Sequence, residues 1–318
     1  MTMALRAWTV CDPKAGTLTQ SLGVARQFDP EPHRVLLDGW LPKWRRGLFS
    51  PYRRIEKPEP DLIVSCGSIA PRHVFAIAEA CRKRPFLVHL QPYEGSGRDR
   101  YDLVFAGRHD LRRIENPPAN YREMLGAPHQ ISAAMLKALR PAARARWAPS
   151  GGPVVTVLVG GPTKAYDYGE ERIEALLSAI RGFSAEGRTV LASPSRRTPE
   201  ALLDRLLSAR DDGITVWDRT GDNPYKEFVA AADAFLVTRD SVTMPSEVAT
   251  TGRPVFIFDL AAVPGEKFEE FEWFHRDLSE TLGLTRPFEG RLYDYAYEAP
   301  DESRRIAGII REEMAMQG

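Results

Sequence analysis

Thr238-Arg239-Asp240-Ser241-Val242-Thr243-Met244-Pro245-Ser246-Glu247-Val248-Ala249 is the stretch on which the fold turns. An apolar run, Ala234-Phe235-Leu236-Val237, precedes it and reads as a short buried strand. Pro245 suits a first helical turn, where its missing N–H costs nothing. Gly252 suits the position just past the helix end. Pro254-Val255-Phe256-Ile257-Phe258 is a second buried strand. Strand, polar loop, helix, strand puts the loop at the carboxyl edge of a parallel sheet. Open α/β sheets bind ligands at that edge, and helix N-termini there favour phosphate. The stretch reads equally as a plain polar connection, with Glu247 a first-turn acid favoured by the helix dipole.

Working outward, the same rhythm fills the second half. Val154–Val159 reads as a strand followed by Gly160-Gly161-Pro162-Thr163-Lys164. Ile173, Leu176, Leu177, Ile180 and Phe183 then recur at helical spacing. Thr189–Ala192 is a strand followed by Ser193-Pro194-Ser195-Arg196-Arg197-Thr198, and Ile214–Trp217 a strand followed by Asp218–Tyr225. The first half alternates likewise, with strands over Leu5–Cys11, His33–Leu37, Asp61–Cys66, Phe86–Leu90 and Asp102–Ala106. Gly16, and Gly67 with Ser68, follow the first and third of these, as loops open to a ligand require. Such loops also simply turn a chain. Between the halves, Arg140–Pro153 ends in a Pro/Gly/Ser cluster with the composition of a linker.

The reading is therefore α/β, with two Rossmann-like parallel-sheet domains and a cleft between them. The expected domains are 1–150, taken as the acceptor side, and 151–300, taken as the donor side. A C-terminal helix over 301–318 packs on either. A length of 318 residues agrees with two domains of roughly 150 residues each. The 43 basic and 43 acidic residues cancel, which argues against an electrostatically driven nucleic-acid binder. Cys11, Cys66 and Cys81 show no metal-type spacing, and the expectation is buried thiols in a reducing cytoplasm. No apolar run nears the roughly 20 residues of a membrane span. The first residues read as a strand rather than a signal peptide.

One segment breaks the rhythm. Residues 40–54 mix four aromatics with five basic residues. Trp40, Trp44 and Phe49 beside Arg45, Arg46 and Arg53 are the side chains that favour a membrane interface and anionic headgroups. Aromatics packed on the domain, with solvated arginines, make the alternative.

Two consecutive α/β domains describe the GT-B architecture of many nucleotide-sugar glycosyltransferases. In that reading the Gly160-Gly161 loop approaches the diphosphate, and Lys164, Arg196 or Arg197 offsets its charge. Ser241 and Ser246 donate to phosphate beside Asp240 and Asn223, and Glu247 accepts from ribose hydroxyls. No metal or further cofactor is called for, and the expected substrate is a UDP-linked sugar. Asp12, His89, His109 and Asp110 lie at strand ends and are candidate bases; no spacing singles one out.

Four strings carry a closer resemblance: Val157–Lys164, Ser195-Arg196-Arg197-Thr198-Pro199, Gly221-Asp222-Asn223-Pro224-Tyr225 and Thr238–Val255. With Lys14–Gly23 and Phe105–Asp110, they resemble the mitochondrial-fission "elongate mitochondria" (ELM-type) family. The chain departs from it at Pro245 and at Lys164-Ala165-Tyr166, where a His-Tyr pair is expected. The resemblance implies a GT-B-like fold. Two functions stay open. One is a glycosyltransferase acting on a lipid-linked or envelope-glycan acceptor, cytoplasmic and peripheral on the inner membrane. The other is a non-catalytic adaptor that recruits a protein partner.

If residues 40–54 meet lipid, the protein will co-sediment with liposomes in proportion to their anionic lipid content, and salt will weaken it. Equal sedimentation with neutral and anionic vesicles contradicts this expectation.

Overall fold

A computed structural model describes residues 5–37, 58–93, 95–211 and 213–317. The aromatic–basic segment 40–54 lies outside the described residues. The chain divides into two compact units, Met1–Gln130 with Asp301–Gly318, and Ile131–Pro300.

The first unit holds β1 (Ala7–Cys11), α1 (Ala15–Ala25), β2 (His33–Leu36), β3 (Leu62–Cys66), α2 (Ala70–Ala80), β4 (Phe86–Leu90), β5 (Leu103–Gly107), α3 (Arg108–Leu111) and β6 (Tyr121–Met124). Its six strands pair in the order β2-β1-β3-β4-β5-β6, all parallel. Strands β1, β3, β4 and β5 are buried along their whole length, as unbroken apolar runs covered on both faces must be. Edge strand β6 has the sequence Tyr-Arg-Glu-Met and is only partly buried, so no apolar run announces it. The C-terminal helix Glu302–Gln317 belongs to this unit and buries Ile306 and Ile310 among the strands. Ser303 Oγ receives the His129 N–H, and Glu302 receives the Leu125 N–H.

The second unit begins with α4 (Ala133–Trp147) and continues through β7 (Val154–Val159), β8 (Tyr166–Asp167), α5 (Glu170–Ala185), β9 (Thr189–Pro194), α6 (Glu200–Leu207), β10 (Ile214–Val216), α7 (Tyr225–Ala231), β11 (Ala234–Thr238), α8 (Thr243–Ala249), β12 (Val255–Phe258), β13 (Ala261–Ala262), α9 (Glu266–Arg276) and β14 (Arg286–Pro287). Its six-stranded parallel sheet runs β10-β9-β7-β11-β12-β14. Counted from β7, that is the doubly wound order whose direction reverses between the first and fourth strands. The switch point lies between β7 and β11, so the loops after Val159 and Thr238 are neighbours. In the first unit it lies between β1 and β3.

The unit boundary falls at 130/131 and not at the expected 150/151. Helix α4 explains the shift. Leu136 and Ala143 join the cluster of Phe228, Val229 and Val248. Arg140 Nη1 donates to the carbonyls of Ala230, Ala231 and Ala232 at the end of α7. Arg140 and Arg144 also grip the two carboxylate oxygens of Asp233 at 2.5 and 2.8 Å. The Pro/Gly cluster after α4 turns the chain into β7 and separates nothing. No helix among the described residues is long and apolar enough to cross a membrane.

Burial alone would raise the Asp233 carboxyl. Hydrogen bonds from Arg144, the Val154 N–H and Arg140 outweigh it and hold the group below its ordinary value. A depressed carboxylate contributes stability above its unfolded value, and that stability is lost as pH falls through the folded value. Replacing Asp233 with Asn will cost about 1–2 kcal/mol of unfolding free energy at pH 7, after allowance for solvent screening. The deficit will shrink in strong acid, as denaturant melts at several pH values will read out.

Candidate functional site

The second unit's switch point is built around one carboxylate. Asp240, in the loop after β11, is buried, and its side chain is inaccessible to solvent. Its Oδ1 accepts from Tyr168 Oη at 2.8 Å and from Thr238 Oγ1 at 2.7 Å. Its Oδ2 accepts from the Gly161 N–H at 2.9 Å and from Arg197 Nη2 at 2.9 Å. The four ties come from the end of β11 and from the connections after β7, β8 and β9, so Asp240 fixes their mutual positions. Burial, followed by the Asp240 charge, pushes the Tyr168 phenol far above its ordinary value, and it stays a donor.

Gly160 and Gly161 are glycines because of these neighbours. A Cβ on Gly160 would overlap the Asp240 carboxylate, and one on Gly161 would overlap the Arg197 carbonyl. Their N–H groups point to Thr238 Oγ1 and Asp240 Oδ2. The sequence reading has this loop approach a diphosphate; the two N–H groups themselves bond inside the fold.

The three candidate cations differ in restraint. Arg197 is held by Asp240 and by the Gly161 carbonyl at 3.2 Å, while about half of its side chain stays exposed. A guanidinium carries five N–H donors. The outer edge of this one faces solvent at the ligand edge of the sheet. Lys164 and Arg196 are exposed. Thr198 Oγ1 donates to the carbonyls of Val159 and Gly160 and shapes the Ser195–Thr198 turn that presents Arg197.

Helix α8 follows Asp240. Ser241 Oγ accepts the Met244 N–H and caps the first turn. Ser246 Oγ donates back to the Val242 carbonyl at 2.8 Å. Asn223 is exposed and its side-chain oxygen accepts the Tyr225 N–H, opening α7. Glu247 is the fifth residue of α8, and no acid occupies the first turn, so the expected helix-dipole role is absent. Glu247 Oε2 accepts from Tyr225 Oη instead. Burial pushes the Glu247 carboxyl up to about 7; Tyr225 and Lys226 pull it back only in part. Burial and the Glu247 charge keep the Tyr225 phenol protonated.

The first-unit candidates scatter more widely. Asp12 is buried beyond the end of β1; its Oδ1 accepts the Ile69 N–H at 3.3 Å, and its carboxylate occupies the space that a Cβ on Gly67 would need. Gly67 has φ +102, a second reason for glycine there. Ser68 beside it is exposed, and Gly16 lies in the first turn of α1 rather than in a loop. His89 sits within β4, buried, with Nδ1 2.9 Å from Ser65 Oγ and rings of Tyr93 and Tyr101 beside it. Burial drops its pKa to about 3, so it is a neutral core histidine. His109 Nε2 and Asp110 Oδ2 are 3.4 Å apart on α3, at the carboxyl end of β5. Among the described residues no cluster of His, Cys, Asp or Glu could hold a metal ion.

Sequence reasoning missed Tyr168, Thr238, Thr198 and Tyr225. Each acts through a hydroxyl to a residue distant in sequence or to a loop carbonyl, and no spacing signals that. Thr198, Tyr225 and Thr238 stood inside quoted strings without a role, and Tyr168 stood in none.

The family described as Mitochondrial fission ELM1 matches residues 15–314. The Mitochondrial fission protein ELM1 of Arabidopsis thaliana is 27% identical over 288 residues, 83% of this chain and 66% of its own length. UDP-GlcNAc 2-epimerase from Methanocaldococcus jannaschii superposes with a TM-score of 0.57 at 14% identity, covering 97% of this chain and 100% of that one. A structure of that enzyme in complex with UDP-GlcNAc and UDP gives 0.50 at 16% identity, again covering 97% and 100%. These likenesses show the fold: α/β, two Rossmann-like units, GT-B-like.

A carboxyl whose folded pKa is raised opposes folding once ionised. For Glu247 the cost is absent below the unfolded value of about 4.3, grows with pH, and is complete above about 7. Glu247→Gln will therefore be more stable than the parent at pH 8, by about 1–3 kcal/mol, and nearly equal at pH 4. Thermal melts at the two pH values measure this; a variant less stable at pH 8 contradicts it.

Proposed function

This chain belongs to the mitochondrial fission ELM1 family, and from that premise we propose that its second unit binds a nucleotide sugar and that the protein transfers the sugar to a lipid-linked or envelope-glycan acceptor. The observation that carries the reading is the pairing, around one switch point, of an oriented guanidinium and a desolvated carboxyl. Arg197 follows β9 and Glu247 follows β11, the two strands that flank β7. A diphosphate wants a fixed cationic fork, and a ribose diol wants a carboxylate acceptor.

In this reading Arg197 meets the diphosphate, and Lys164 and Arg196 add charge beside it. Ser241 and Ser246 stand at the α8 end near Asp240, while Gly160 and Gly161 let the Asp240 carboxylate close the loop. Asn223 shapes the approach to α7. Uridine is the proposed base, because the M. jannaschii enzyme of like fold is described with UDP-GlcNAc and UDP. The Asp12 loop, the start of α1 at Gly16 and the Gly67–Ser68 loop form the proposed acceptor side, and His109, Asp110 or Asp12 is the proposed base. The protein would work at the cytoplasmic face of a membrane through residues 40–54. The family description supports a second reading, an adaptor that recruits a protein partner without chemistry.

Calorimetry with UDP and UDP-sugars tests the site. Arg197→Ala will weaken UDP roughly tenfold to a hundredfold, the effect of losing charged hydrogen bonds worth about 1.5–3 kcal/mol. UDP will raise the melting temperature of the parent protein by mass action. No binding of any nucleoside diphosphate or nucleotide sugar removes this reading and leaves the adaptor. Binding without turnover over a panel of lipid-linked acceptors also favours the adaptor.

A further inference from the structure

Tyr225 and Glu247 come from different helices, the first residue of α7 and the second turn of α8. The phenol donates to Oε2 of the carboxylate. A carboxylate has two oxygens with about four acceptor sites, so this contact leaves Oε1 for another donor. Glu247 is only half-buried, so part of its side chain keeps access to solvent. The phenol stays protonated because burial and the neighbouring negative charge both oppose its ionisation. It is thus a donor at every physiological pH. The Asn223 side chain fixes the backbone of Tyr225 from the preceding turn. Tyr225 itself packs on the cluster of Phe228, Val229 and Val248, so its ring has little freedom to turn away.

On the reading that Glu247 accepts from a ribose diol, we propose that Tyr225 is the positioning residue of the nucleoside end of the site. Its hydroxyl ties down Oε2 and turns Oε1 toward the diol, and the ligand is held more tightly while Glu247 is ionised. The groups that act on the Glu247 carboxyl are Tyr225 and Lys226, both at the start of α7. Tyr225 stabilises the ionised form by hydrogen bonding, and Lys226 does so by charge. A neutral Glu247 offers a weaker acceptor to the diol. Nucleoside affinity should therefore fall as the solution is acidified through the carboxyl's own transition near pH 7. Inorganic diphosphate does not reach a ribose acceptor, and its binding should not follow that transition.

The test is calorimetry of the full chain with two probes, UDP and inorganic pyrophosphate, from pH 6 to 8.5. The variants are Tyr225→Phe and Glu247→Gln. Tyr225→Phe removes the donor that favours ionised Glu247, so the midpoint for UDP should move to higher pH. Its UDP affinity at pH 8.5 should drop roughly tenfold. Pyrophosphate affinity should stay within experimental error in both variants. Glu247→Gln should lose the pH dependence that UDP shows beyond the change seen with pyrophosphate, whose comparison removes the titration of the phosphates themselves. A Tyr225→Phe protein that keeps the parent midpoint and affinity overturns the proposal, even if its melting temperature falls. A parent protein that binds neither probe overturns the nucleotide-sugar reading and the proposal with it. A parent that binds UDP with no pH dependence beyond that of pyrophosphate overturns the proposal alone.

Discussion

A buried carboxylate needs donors to replace the waters it has lost, and Asp240 obtains four, from three connections and from the end of β11. That requirement organises the carboxyl edge of the second sheet. Gly160 and Gly161 must be glycines to let the carboxylate in. Tyr168 must fold back over the edge, which it does through the β8 turn paired with β13. Arg197 must lie along the surface with its outer edge free. Removing the carboxylate would leave the buried Gly161 N–H without its acceptor, at about 1–3 kcal/mol, and would leave Arg197 and Tyr168 with only the Gly161 carbonyl and Thr238 Oγ1.

Glu247 illustrates the opposite balance. Its carboxyl is desolvated, has one strong donor, and protonates more readily than an ordinary glutamate. Nothing in the packing of α8 asks for an acid there, since Val248 and Ala249 carry the buried face and Ser241 caps the helix. A residue that opposes folding in its charged state is a candidate functional group, because fold stability alone would select an apolar or amide side chain.

The two units treat their switch points in parallel. In each, an aspartate beyond the end of the first strand or of its neighbour crosses to a glycine across the gap: Asp12 to Gly67, and Asp240 to Gly160. Of the two, Asp240 alone brings a guanidinium with it. That asymmetry is why the second unit carries the more specific chemical prediction. In the first, His89 turns out to be a neutral core group, which leaves the His109–Asp110 pair and Asp12 as the groups with access to an edge.

The local sequence determined the fold class and most elements by itself. Apolar runs such as Val154–Val159 and Ala234–Thr238 have one stable use, a strand buried on both faces, and they alternate with helical repeats. It also marked the loops that meet, because all parallel strands end on one edge. Edge strand β6 escaped, since a half-exposed strand needs no apolar run. Only the tertiary structure decided where the units divide: α4 reads as a linker until Arg140 and Arg144 find Asp233 some ninety residues later. The roles of the glycines and of Glu247 were decided in the same way. Whether an N–H, a hydroxyl or a carboxylate faces a ligand depends on which partners distant in sequence reach it first, and hydrogen bonds across such separations leave no periodic trace in the chain.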